Sequence, residues 1–257
     1  MLKHWNEMTA DDFAAVTDRA VVILPVAATE HHGRHLPTGT DAFILDGILR
    51  AATRLGPPRA IALPVQSIGW SSEHGGLPGT LSIDAELLAA GWFALGEWVA
   101  QTGARRLLFL NSHGGNPPAV ALAAMRLRTQ HGLFVAQTHW EALARPTELA
   151  PTGAPVYDWH AGWIETAMML HLRPDLVRMD RAASGAMRHP DGLPPDGPAP
   201  WAWMTTDLSP SGVIGDPQLA TAALGAKLME RAIAGLDDLL DRLAAAEWPL
   251  SLDGAGR

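Results

Sequence analysis

The stretch that most restricts the fold is Ala20 to Ala27, AVVILPVA, together with the turn at its end. An uncharged apolar run of this length reads as a strand buried on both faces, the habit of a parallel sheet covered by helices on each side. The run stops in ATEHHGRHLPTGTD, a turn containing Gly and Pro and crowded with Glu30, His31, His32, His35 and Asp41. Open α/β sheets place their functional loops just past the carboxyl ends of strands. Thr40 is placed to cap a helix opening at Asp41.

The same unit recurs along the chain. Ala60–Val65, Arg106–Leu110 and Leu133–Thr138 are further apolar strands. Between them, helical patterns cover residues 42–55, 84–101 and a segment opening at Pro117 with Asn116 as its cap. Thr9 begins a short helix whose first turn carries Asp11 and Asp12, where the helix dipole favours acids. Strand, loop and helix in alternation predict an α/β fold, a three-layer α/β/α sandwich on a mainly parallel sheet. Ala161–Leu172 is helical in pattern, and Asp216-Pro217 opens a final amphipathic helix reaching about Glu247. Residues 173–216 are rich in Pro and Gly, without a period, and too long for an ordinary loop; they are expected to form a flap or an interface. No repeat or linker divides the chain, so residues 1–257 are read as a single domain.

Composition narrows the function. Hydrophobic residues make up 47% and charged ones 18%, enough apolar material for a core and too little charge for a disordered chain. The net charge of −8 carries no basic footprint, which sets nucleic-acid partners aside. There is no cysteine, hence no disulfide, no thiolate metal site and no cysteine nucleophile. Neither a signal-peptide core nor an 18-residue apolar span is visible, so no membrane association and a cytoplasmic location are expected.

Three loops at strand ends carry side chains suited to metals. Glu30 and His32 are two residues apart in a turn, a spacing that serves two neighbouring ions better than one. Asp41 stands at a helix start, and a carboxylate can bridge two cations with its two oxygens. His113 sits in NSHGGN directly after a strand, and Glu165 lies five residues beyond His160, a little over one helical turn. Glu73 and His74 stand in a Gly- and Ser-rich loop after the second strand. Carboxylate and imidazole ligands suit zinc, manganese or iron, and two such ions a few ångströms apart are a hydrolase arrangement. Singly, each residue has a plainer reading: His113 as a hydrogen-bonded core histidine, Glu165 as a surface acid, His31 and His35 as loop-orienting groups. His4, His131, His139, His171 and His189 carry no supporting context, and the ten Trp residues are read as core or interface.

The joint pattern resembles the creatininase (creatinine amidohydrolase) family. Its signature E-x-H-G-x-H-L-P-x-x-T-D is similar to Glu30-His-His32-Gly-Arg-His35-Leu-Pro-Thr-Gly-Thr-Asp41. Ser72-Glu73-His74 with Pro78-Gly-Thr80, Asn111-Ser-His113-Gly-Gly-Asn116, His160-Ala-Gly with Glu165-Thr166, and Gly212-Val-Ile-Gly-Asp216-Pro come in family order. The resemblance implies two divalent metal ions per chain, hydrolysis of a C–N amide-type bond of a small molecule, and a homohexamer. Carried over, Glu30 and His113 would hold one ion, His32 and Glu165 the other, and Asp41 would bridge them. His160 would handle protons at the scissile bond, with Glu73, His74, Gly114 and Gly115 toward the substrate. One departure separates the chain from creatininase proper: an aromatic residue and an acidic ligand stand there at the positions of Gly114 and Gly115. Similar proteins include a formylamino-pyrimidine nucleotide deformylase, a peptide-trimming enzyme of mycofactocin maturation and hydrolases of inositol-type cyclic ketones. Esterase, lactonase and peptidase chemistry at the same site, and a non-catalytic binding role, are the alternatives.

Overall fold

The computed structural model describes residues 2–52 and 60–249. Five strands form one parallel sheet: β1 (Lys3–His4), β2 (Val21–Val26), β3 (Ala60–Ala62), β4 (Arg106–Asn111) and β5 (Phe134–His139). Their spatial order is β1-β3-β2-β4-β5. The short edge strand β1, which pairs Lys3 with Ile61, has no apolar run and is not legible in the sequence. The principal helices are α1 (Ala10–Phe13), α2 (Thr40–Ala51), α3 (Ala85–Gln101), α4 (Pro117–His131), α5 (Trp140–Ala144), α6 (Trp163–Leu172), α7 (Thr205–Leu208) and α8 (Ala222–Ala245).

Side-chain alternation along the strands builds the three layers. Val21, Ile23, Leu108 and Leu110 face one way, onto Ile44 and Ile48 of α2, Met168 of α6 and Leu236 of α8. Val22, Leu24, Leu107 and Phe109 face the other way, onto Trp92 and Phe93 of α3 and Val120 and Leu127 of α4. All six residues of β2 and of β4 are buried, as their continuous apolar character requires.

Pro25 would be out of place in an uninterrupted central strand. Its carbonyl accepts from Gln66 N, so its missing N–H lies on the side where β3 has already stopped at Ala62.

Several boundaries differ from the sequence reading. Thr40 is the first helical residue of α2 and not its cap; its hydroxyl donates to Pro37 O at 2.7 Å, and Gly39 takes the cap position. The expected continuation of this helix through Thr53–Leu55 lies outside the described residues. Strand β3 is three residues long, shorter than Ala60–Val65, because Pro64 interrupts the ladder. Asp216-Pro217 opens only a 3₁₀ turn, with Asp216 capping Gln218 N; α8 begins at Ala222, where Thr221 Oγ1 accepts from Leu224 N at 3.2 Å. Among the described residues no helix is long and apolar enough to cross a membrane.

The topology dictates where a site can form. The chain leaves β2 through α2 toward β3, and leaves β4 through α4 toward β5, in opposite directions along the sheet. A crevice therefore opens beyond the carboxyl ends of β2 and β4, the switch point of an open α/β sheet.

Candidate metal-centred active site

Loops from both switch-point strands meet in that crevice. Glu30, His32 and Asp41 come from the connection after β2, His113 from the turn after β4, and Glu165 from the first turn of α6. All five side chains are buried. They form two triads that share Asp41: Glu30, Asp41 and His113, and His32, Asp41 and Glu165, with the candidate ligand atoms of each triad within 4.8 Å of one another. In the first, His113 Nδ1 lies 3.0 Å from Glu30 Oε2 and 3.6 Å from Asp41 Oδ2. In the second, His32 Nε2 lies 3.3 Å from Asp41 Oδ1 and 3.6 Å from Glu165 Oε2.

Backbone carbonyls set the histidine tautomers. A carbonyl only accepts, so the ring nitrogen facing it carries the proton. His113 Nε2 donates to Trp70 O at 2.9 Å, which leaves Nδ1 as the bare lone pair aimed at Glu30 and Asp41. His32 Nδ1 donates to Glu30 O at 3.1 Å, which leaves Nε2 toward Asp41 and Glu165. This outer hydrogen bonding is what ligating histidines require. Glu30 Oε2, His32 Nε2 and both Asp41 oxygens are buried without a hydrogen-bond partner. Orphaned acceptors converging in one buried place fit a pair of cations.

Burial alone would push every carboxyl here up. It raises Asp41 to about 7, reinforced by the Glu30 carboxylate. Burial likewise acts on Glu165, but the imidazole of His32 outweighs it and brings the group down to about 2. Burial works to lower His113, and the Glu30 carboxylate overrides it, lifting the imidazole to about 10. The buried carboxylates thus favour positive charge beside them, whether on an imidazolium or on a cation.

His160 stands beside this cluster. Its Nε2 donates to His31 O at 2.6 Å, which leaves Nδ1 free, 3.5 Å from Glu30 Oε1. Burial and then the neighbouring His32 lower it to about 4. The residue is held by a two-way backbone bridge to Ile214, inside the Gly212–Asp216 motif. Asp158 accepts from Trp163 N, Ile164 N and Asp216 N, tying the start of α6 to the same motif. Ala161 sits between them at φ +53°, with its N–H donated to Glu165 Oε2 at 2.6 Å.

Glu73 and His74 also reach the centre. Glu73 Oε1 is 3.3 Å from His113 Nε2, and His74 Nε2 is 3.6 Å from Glu30 Oε1. His31 and His35 hold the loop: His31 N–H donates to Thr80 Oγ1, and His35 Nε2 pairs with Thr166 Oγ1 at 3.0 Å. Gly115 has no room for a side chain. A Cβ there would lie 2.1 Å from Trp70 O and 2.5 Å from His113 Nε2, which accounts for glycine in place of an acidic ligand.

A cavity of about 840 Å³ opens over the cluster. Gly114, Gly115, Glu73 and His74 line it, as do two residues that sequence reasoning missed, His139 and Glu141. Loss of water raises the Glu141 carboxyl to about 8, with Glu165 adding to it, and lowers His139 to about 4. A signal existed: both stand at the carboxyl end of a strand, like Glu30 and His113. The reading of tryptophans as core holds for Trp92, Trp140 and Trp163. It fails for Trp70, Trp159, Trp201 and Trp203, which line the cavity. The last two come from the Pro-rich segment, which contributes to the cavity wall.

The family model for creatininase, described as creatinine amidohydrolase, matches residues 6–240. The chain belongs to the creatininase family. It is accordingly a hydrolase of amide-type C–N bonds. It is 34% identical over 241 residues to the mycofactocin precursor peptide peptidase of Mycobacterium tuberculosis, covering 91% of this chain and 87% of that relative. Against the creatinine amidohydrolase of Pseudomonas putida the identity is 30% over 257 residues, covering 91% and 95%. A crystal structure of a creatinine amidohydrolase (creatininase) superposes with a TM-score of 0.77 at 24% identity, over 95% of this chain and 98% of that one. This creatininase-family chain therefore shares its sheet and layers with that structure.

Proposed function

We propose that this family member hydrolyses its amide at a dinuclear metal centre. Glu30 and His113 would hold one ion, His32 and Glu165 would hold the second, and Asp41, common to both triads, would serve both. The observation that carries the reading is the pair of buried triads sharing Asp41, with their acceptor atoms orphaned. Zinc, manganese and iron suit this donor set. When bound, two such ions supply a water acidified from about 15.7 toward 7 and polarise a carbonyl oxygen.

The protein's own groups do the rest. Burial keeps His160 neutral near pH 7, and its Nδ1 would take the proton released by the attacking water and pass it to the leaving nitrogen. Gly114 and Gly115 line the cavity, and their backbone N–H groups would receive the developing oxyanion. Glu73 and His74, which line the same cavity, would orient the substrate. A peptidase reading has its own support: the cavity exceeds what a small ring needs, and four relatives, 32–34% identical, are mycofactocin precursor peptide peptidases.

Metal analysis of the purified protein beside Glu165→Ala tests the proposal. Two ions per chain falling to one in the variant is the expected result. No bound metal in either protein after incubation with zinc or manganese overturns it.

A further inference from the structure

We propose, on the reading of this cavity as the hydrolytic site, that the Glu141 carboxylate is a recognition site for a protonated amine carried by the substrate. Glu141 lines the cavity, and among the described residues its carboxylate has neither a hydrogen bond nor an ion pair. The other cavity-lining acids are engaged: Glu30 and Glu73 meet His113, and Glu165 meets His32. A carboxylate drawn away from water and left without a partner needs a donor or a cation from outside the chain.

The neighbours of Glu141 fix its place. β5 pairs with β4 so that His139 stands beside Asn111, at the root of the turn that carries His113. The chain then enters α5, where the Glu141 N–H donates to His139 Nδ1 at 3.4 Å and the Glu141 carbonyl accepts from Arg145 N at 2.7 Å. Trp140, between His139 and Glu141, is fully buried. Strand pairing, helix and buried indole hold this backbone still, so the carboxylate is presented to the cavity ahead of binding.

Charge favours a cation at Glu141 even with both metal ions in place. Two divalent ions would bring four positive charges against the three negative ones of Glu30, Asp41 and Glu165. Glu73 and Glu141 then turn the balance to one net negative charge, and no Lys or Arg lines the cavity among the described residues. Burial raises the Glu141 carboxyl first, and like charge on Glu165, Asp158 and Asp41 adds to it. Cations held by Glu165 and Asp41, and an ammonium beside the carboxylate itself, both favour its ionised form. A protonated amine has no lone pair to offer a metal, so the ions do not compete with Glu141 for it.

The test reads binding, so it stands apart from turnover. Calorimetry on the zinc-loaded protein at pH 7 gives Kd for 4-aminobutanamide against pentanamide and for 5-aminopentanamide against hexanamide, pairs that differ only by an ammonium in place of a methyl group. In at least one pair the amine is expected to bind about tenfold tighter, as a charge-assisted hydrogen bond allows. Glu141→Gln, which keeps the shape and drops the charge, should erase that preference and leave the metal content by elemental analysis at the wild-type value. Glu73→Gln should keep the preference. Equal affinities within both pairs in the wild type overturn the site, as does a preference that survives in Glu141→Gln or disappears in Glu73→Gln alone. Loss of a metal ion from Glu141→Gln overturns it too, by making Glu141 part of the metal centre. Should Glu141→Gln not fold, Glu141→Ala takes its place. A preference that depends on Glu141 without metal-dependent hydrolysis of any amide would overturn the hydrolase reading and leave the amine site standing.

Discussion

Gly115→Ala is the sharpest perturbation of the centre, because it adds one methyl group and removes nothing. The new Cβ would lie 2.1 Å from Trp70 O, 2.5 Å from His113 Nε2 and 2.8 Å from Glu73 Oε1. Ordinary contact needs more than 3 Å, so Trp70 O must retreat by about an ångström. That carbonyl is the acceptor holding His113 Nε2–H at 2.9 Å. Overpacking costs roughly 1–3 kcal/mol, and a buried donor left unpaired about 1–3 kcal/mol more. The expected loss is about 2–6 kcal/mol, or roughly 5–20 °C in Tm for a chain of this size. Loosening the bond that orients a ligating histidine should also weaken metal binding by about 10–100-fold. Urea unfolding and chelator competition measure the two effects. A variant with the wild-type midpoint and wild-type metal affinity would refute both the steric argument and the role given to the Trp70 carbonyl.

The same structure sets three further outcomes. His160→Ala should retain both metal ions and lose about 10²–10⁴-fold in turnover, since its proton-handling Nδ1 disappears while all five ligands stay; elemental analysis beside single-turnover rates checks this. Phe109→Ala, at a fully buried position 6.3 Å from the Trp92 ring, should cost about 3–5 kcal/mol, read from the denaturant midpoint. The Asp12 carboxyl is held down at about 2, chiefly by its hydrogen bond from Lys3, so its contribution to stability is complete above the unfolded value of 3.8 and fades as pH falls toward 2. The stability difference between wild type and Lys3→Met should shrink across that window in acid titrations followed by circular dichroism.

The sheet and the ligand loops are legible in the sequence for a local reason. A strand buried on both faces needs a continuous apolar run, and a loop that binds cations needs carboxylates and imidazoles at its tip. Both demands are met within a few neighbouring residues, as in Ala20–Asp41 and Arg106–Asn116. Strand β1 is invisible because two residues at a sheet edge bury no apolar face. The start of α8 is misleading in the sequence because Asp216-Pro217 carries every local sign of a helix opening, and only the turn at Ala220 shows that the chain bends again first.

What the sequence by itself determined is the class of fold and five candidate ligand side chains, three in loops and two in the first turns of helices, with His160 beside them. What only the tertiary structure decided is how they combine. Asp41 belongs to both triads because opposite crossovers from β2 and β4 open the crevice there. His113 offers Nδ1 because a carbonyl 43 residues away takes the proton of Nε2. His139, Glu141, Trp201 and Trp203 join the cavity through packing across the chain. Spacing in a sequence reports neighbours within one turn or one strand. Convergence of distant loops is set by the sheet topology and by packing, and these have no local signature.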